Sequence, residues 1–221
     1  MIRHCIFDLD GTLLNTLGTI TYYVNKALSD FSLPTITEEE CRIILGNGAA
    51  VLMRRAMELY GVYEPQLYER VLEHYIALYD AAPLHLTVPY DGIEELLAGL
   101  RADGITVAVV SNKPDYATCR VVEHFFGDLI GSVRGGRDGV PLKPDPTAPL
   151  SVLEDIGGRA EECAFIGDTA TDIMTGRNMG AGLAVGVLWG FRDRSELEAA
   201  GADVTVSHPV ELLDLLRRSG E

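Results

Sequence analysis

The 221-residue chain is poor in cysteine and in positive charge and has no long hydrophobic run, and each shortage closes off a class of function. Its four cysteines, Cys5, Cys41, Cys119 and Cys163, include no CxxC pair. That scatter predicts reduced core thiols in place of a disulfide frame or a local zinc chelate, and so a cytoplasmic protein. Lysine and arginine number 18 against 33 aspartates and glutamates, a formal net charge of -15. Such a chain is a poor partner for nucleic acid or an anionic membrane, so any anionic ligand must be held by local positive charge. The apolar run from Ala181 to Phe191 falls well short of the ~20 residues that a membrane span needs. Met1-Ile2-Arg3-His4 leads directly into a strand-like run, so neither a secretory signal nor an anchor is expected. There is no P-loop and no GxSxG elbow, and the five histidines are isolated.

What is present is the ordinary balance of a globular protein, 47% hydrophobic and 23% charged, long enough for one large domain or one domain carrying an insert. Short runs, His4–Phe7, Thr106–Val110, Cys163–Ile166 and Ala184–Val187, are almost continuously apolar, as strands buried on both faces should be. They alternate with helix-period segments, which predicts an α/β fold with a Rossmann-like parallel sheet flanked by helices. Gly180-Ala181-Gly182 with Gly186 has the glycines of a dinucleotide fingerprint but follows a helix and precedes a strand, so it is read as a tight turn. Residues 16–85 hold no convincing strand and are expected to form an inserted all-helical cap domain, leaving 1–15 and 86–221 as the α/β core domain. In the insert, Leu52, Met53, Ala56, Leu59 and Tyr60 make one apolar stripe, and Val71, Leu72, Tyr75, Leu78 and Tyr79 a second. Asp91 is expected to cap a helix burying Ile93, Leu96, Leu97 and Leu100, and Glu211–Arg218 to form a closing helix.

Chemistry concentrates where the strands end. Asp8 and Asp10 leave the first strand two residues apart, so extended geometry points both carboxylates to one side while Gly11 lets the chain turn away. A D-G turn alone would mean little, but three further strand-associated loops carry Ser111-Asn112-Lys113, Lys143-Pro144-Asp145-Pro146 and Gly167-Asp168-Thr169-Ala170-Thr171-Asp172. The carboxyl ends of strands are where open α/β sheets bind ligands.

These four clusters, in this order across nearly the whole chain, resemble the haloacid dehalogenase superfamily of phosphotransferases. The resemblance implies that Asp8 is the nucleophile, forming an aspartyl-phosphate, and that Asp10 is the general acid and base. It implies Mg²⁺ held by oxygens of Asp8, Asp10 (through its carbonyl) and Asp168, with Asp172 supporting them from behind. Lys143 would neutralise Asp8 and the phosphoryl group, and Ser111, Asn112, Gly11 and Thr12 would cradle phosphate. Lys113 either adds charge there or is solvated. One departure is Asn15-Thr16, where many relatives carry an acidic residue; it lies at the hinge of the insert.

A helical insert at this point resembles the small cap of the phosphoglycolate phosphatase-like branch, as do the segments around Ser111 and Lys143. Gly46-Asn47-Gly48 and Arg54 would then bind substrate, the helix start after Gly48 taking a carboxylate; the alternatives are a plain interhelical turn and a solvent-facing Arg54 or Arg55. The expected activity is Mg²⁺-dependent hydrolysis of a small phosphorylated metabolite, foremost 2-phosphoglycolate. Its rivals are a β-phosphoglucomutase-like mutase, a pyrophosphatase or nucleotidase, and a catalytically silent binding protein. Monomer and homodimer stay equally open.

Overall fold

The computed structural model describes residues 1–218. Strand β1 (His4–Phe7) and the short β2 (Leu14–Asn15) precede four helices, α1 (Leu17–Asp30), α2 (Glu38–Ile44), α3 (Ala49–Leu59) and α4 (Pro65–Ala81). The chain returns through β3 (Val88–Pro89) and α5 (Ile93–Ala102). It then alternates through β4 (Thr106–Pro114), α6 (Asp115–Phe126), β5 (Ser132–Gly136), α7 (Thr147–Asp155), β6 (Cys163–Gly167) and α8 (Ala170–Asn178). The final elements are β7 (Leu183–Val187), α9 (Arg194–Ala199), β8 (Val204–Val206) and α10 (Pro209–Arg218).

Six strands make one parallel sheet in the order β5-β4-β1-β6-β7-β8, covered by helices on both faces: the Rossmann-like α/β fold. Alternation along each strand explains their unbroken apolar character. Cys5, Phe7, Val107, Val109 and Ile166 face α5, α6 and α10, while Ile6, Ala108, Val110 and Phe165 face α7 and Met179. From β1 the sheet is built outward through β4 to β5 and then resumes at β6 on the other side of β1. The carboxyl ends of β1 and β6 therefore flank the switch point where such sheets form a crevice.

Two differences from the sequence expectation have local causes. Strand β4 runs on past Val110 to Pro114 through a break in its register with β5, so Ser111, Asn112 and Lys113 stand on an irregular strand end. Asp91 does not cap α5: Gly92, at φ +83°, occupies the cap in the left-handed region, and no side chain bonds the helix start. The predicted buried face of α5 is nonetheless the one observed.

Helices α1–α4 pack on a cluster built on Val24, Ala27, Leu28, Met53, Met57 and Val71, which Ala117 of α6 and Phe191 also join. Helix α2 starts with a Thr37/Glu40 capping box, and α4 with Pro65 in its first turn and Glu64 as cap. The predicted α3 stripe is partly corrected: Leu59 and Tyr60 are exposed and Met57 is buried, because the helix stops at Leu59 and the Tyr60 hydroxyl turns to Glu40. In α4, Val71, Tyr75 and Tyr79 are buried while Leu72 and Leu78 are half-buried. Both ends of this helical segment meet in the β2–β3 pair, Leu14 opposite Pro89 and Asn15 opposite Val88. At the far side, Arg42 donates to the Phe191 carbonyl and Arg192 to the carbonyls of Arg42 and Leu45, stitching α2 to the loop after β7.

Candidate active site

Asp8 follows β1 directly, its backbone N–H held by the Ile166 carbonyl of β6 at 2.9 Å. The chain then turns at Gly11, whose φ of +88° only glycine adopts without strain, and whose missing side chain leaves room for Asp168: a Cβ there would stand 2.3 Å from Asp168 Oδ2. Asp168 itself follows β6, so neighbouring strands deliver both carboxylates to the same crevice. Asp172, one turn further on, accepts from the Thr169 N–H and hydroxyl through Oδ2 and completes the capping box of α8.

Lys143 binds these groups together. Its Nζ lies 2.7 Å from Asp172 Oδ1 and 2.7 Å from Asp8 Oδ1, an ion pair with each. Burial opposes the lysine's charge, but Asp172 and Asp8 more than offset it and hold its pKa above the usual range. Asp8 is pushed up to about 7 by burial and by the Asp172 charge, against the opposing pull of Lys143. Burial, with Asp172 and Asp8 close by, drives Asp168 well up as well, although Thr12 Oγ1 and the Phe191 N–H donate to it at 3.0 and 2.8 Å.

The group has too little positive charge for its carboxylates. Asp8, Asp168 and Asp172 are buried with one oxygen from each lying within 4.8 Å of the others, and one lysine balances one of the three charges. The remaining deficit matches a divalent cation, and an all-oxygen donor set suits a hard one. Both Asp172 oxygens are engaged by Lys143 and Thr169, so that residue fits a supporting place.

A cleft opens over this group. On the core side it is lined by Asp8, Asp10, Ser111, Asn112, Lys113 and Lys143, and on the helical side chiefly by Ile20, Leu45, Leu52, Tyr75, Ile76 and Tyr79. Asn112 clasps Lys143 from both sides, accepting from its N–H at 2.8 Å and donating to its carbonyl at 3.2 Å, so its side chain holds the lysine loop in place. Gly46 and Gly48 reach the cleft at the start of α3, with Ala49, whereas Asn47 is not among its lining residues.

Other candidate residues, like Asn47, stand away from the cleft. Thr12 gives its hydroxyl to Asp168 and is fully buried, and neither it nor Gly11 lines the cleft. Arg54 lies against Glu58 at 3.9 Å with half of its side chain exposed, away from the cleft, because α3 turns its apolar stripe inward and Arg54 outward. Arg55 spends a guanidinium N–H on the Ile44 carbonyl.

Sequence reasoning left two participants undefined or unseen. Lys113 is buried, 3.0 Å from Asp10 Oδ1 and 2.6 Å from the Tyr79 hydroxyl. The loop after β7 closes the site from behind, with Phe191 N–H on Asp168 and Trp189 Nε1 on the Thr12 carbonyl. Its position immediately after a core strand was the available signal.

Comparison with known proteins agrees in one direction. A model of the haloacid dehalogenase-like hydrolases matches residues 5–185. The phosphoglycolate phosphatase of Pectobacterium atrosepticum is 31% identical over 99% of this chain and 94% of its own. That of Rhodospirillum rubrum is 32% identical over 84% of this chain and 79% of its own. Among solved structures, one from Lactobacillus delbrueckii subsp. bulgaricus superposes with a TM-score of 0.91 at 29% identity, covering 97% of this chain and 98% of that one. A hydrolase from Pseudomonas syringae gives 0.77 at 26% identity over 99% of both.

Proposed function

Because the chain belongs to the haloacid dehalogenase-like hydrolases, as a phosphatase, we propose that it hydrolyses a small phosphate monoester through an aspartyl-phosphate on Asp8, with 2-phosphoglycolate as its foremost substrate. The observation that carries the mechanism is the pairing of a buried Asp8 with Lys143 at the switch point, two residues from the more accessible Asp10.

An Asp8 oxygen attacks phosphorus, and the bond from phosphorus to the leaving oxygen breaks with its electron pair going to that oxygen. Asp10, at the cleft surface, supplies the proton that the leaving alcohol needs. Water then attacks phosphorus, Asp10 takes its proton, and the bond to Asp8 breaks to release phosphate and restore the carboxylate. Lys143 holds Asp8 aimed and offsets the negative charge brought in by the phosphoryl group, with Ser111 beside it. Mg²⁺, held by Asp8, Asp168 and the Asp10 carbonyl with Asp172 behind them, supplies further charge neutralisation when bound.

Two observations support 2-phosphoglycolate. Relatives at about 30% identity carry that activity in their names. The start of α3 also borders the cleft at Gly48 and Ala49, offering backbone N–H groups to a carboxylate. The test is phosphate release from 2-phosphoglycolate, β-glucose 1-phosphate, pyrophosphate and nucleoside monophosphates, with Mg²⁺ and with chelator. Mg²⁺-dependent release with the highest kcat/KM on 2-phosphoglycolate is expected. Isomerised sugar phosphate without free phosphate would replace hydrolysis by a mutase reaction, and no turnover of any ester would leave a silent binding protein.

A further inference from the structure

Lys113 is the second buried lysine of the cleft, and Asp8 does not need it, since Asp8 already has Lys143. Lys113 Nζ instead spans both oxygens of Asp10, at 3.0 and 3.3 Å. Its third contact comes from the helical insert: it donates to the Tyr79 hydroxyl at 2.6 Å and lies 4.3 Å from the centre of that ring. Tyr79 is fixed in turn by Tyr23 of α1 and Tyr75 of α4, with ring centres 5.3 and 5.9 Å away. A single chain of contacts thus runs from the helical insert, through a lysine on β4, to the carboxylate beside the nucleophile.

A lysine ammonium is a point charge on a flexible stem and by itself does little to fix the plane of a carboxylate. Bound on both sides it becomes a rigid strut. We infer that Tyr79 is a positioning residue which, through Lys113, holds Asp10 in its proton-transferring orientation, and does so only while α4 is seated over the cleft. Cap seating and acid placement are then one event, so the leaving group is protonated only in a site closed to water. The inference rests on the reading of Asp10 as the acid of the first half-reaction.

The experiment compares kcat/KM on two esters, since that parameter covers the steps through departure of the leaving group. One is the best alkyl phosphate of the substrate panel, whose alcohol needs a proton. The other is 4-nitrophenyl phosphate, whose leaving group departs as the anion. Asp10→Asn establishes the signature of a lost acid, a large fall on the alkyl ester and a small one on the nitrophenyl ester. Tyr79→Phe keeps the ring and its packing and should show the same signature in milder form, about tenfold on the alkyl ester and within about twofold on the other. Lys113→Met should show it more strongly, which covers the case of either variant folding poorly.

Equal losses on both esters in Tyr79→Phe and Lys113→Met, or no loss, would overturn the strut while leaving Asp10 as the acid. Equal losses in Asp10→Asn would remove the acid reading itself and the inference with it.

Discussion

The two sides of the cleft are made of different materials. Its floor, from the ends of β1, β4 and β6 and the loop before α7, carries four carboxylates, Asp8, Asp10, Asp168 and Asp172, and two lysines close to one another. Its roof, from the insert, is mostly apolar, with Ile20, Leu45, Leu52 and Ile76. A floor of buried charge does chemistry because fixed charges act strongly where water is excluded. A roof of aliphatic side chains supplies the exclusion and the shape but holds no reacting atom. Rate should therefore reside in the floor, with the one strut that Tyr79 sends down to it, and choice of ester in the aliphatic part of the roof.

The sharpest way to break this contrast is Asp8→Asn, which should cost on the order of 10³-fold or more in turnover with the fold intact by circular dichroism. A variant retaining near-normal turnover would show that the floor is not where reaction occurs. Next, Mg²⁺ added to metal-free protein should raise the melting temperature by about 5 °C or more at roughly a hundredfold over its Kd. Asp168→Asn should reduce that shift to about 1 °C or less; an undiminished shift would move the cation away from this carboxylate group. In the roof, Ile76→Ala should change the ratio of kcat/KM between two alkyl esters by up to about tenfold, the scale of a few methylenes in a pocket. An unchanged ratio would mean that the roof does not choose. Smallest of all, Arg54→Ala should leave kcat/KM within about a factor of two, since an exposed pair at this distance is worth little. A tenfold loss would return Arg54 to the cleft.

The same contrast governs what could be read from the amino acids alone. Strand β1 and the buried face of α5 were legible because burial on a fixed side imposes a local period. The floor was legible because each group sits in a short cluster beside a strand. Strand β5 was not, since Ser132-Val133-Arg134-Gly135-Gly136 lies at a sheet edge, with Arg134 paired to Asp155 and no continuous apolar run. Thr12 was expected, from the family resemblance of Asp8-Leu9-Asp10-Gly11-Thr12, to contact phosphate. Its hydroxyl goes to Asp168, 156 residues away, because β1 and β6 happen to be neighbours. Lys113 looked like a solvent or accessory charge and Tyr79 like core; their contact bridges α4 and β4, and no spacing within either segment encodes it.

The β2–β3 pair also bears on how the chain finds its fold. Central strand β1 pairs with β4 across about 100 residues, His4 beside Thr106, a separation that makes closing the sheet slow. The insert consists of helices, whose contacts are mostly local, and its two ends meet where Asn15 faces Val88. Once those helices have assembled and joined their ends, the effective loop between β1 and β4 shrinks to about 30 residues, which lowers the entropy cost of closure by about 1 kcal/mol. The helical segment that roofs the cleft thus also serves as a clasp that shortens the search for the sheet.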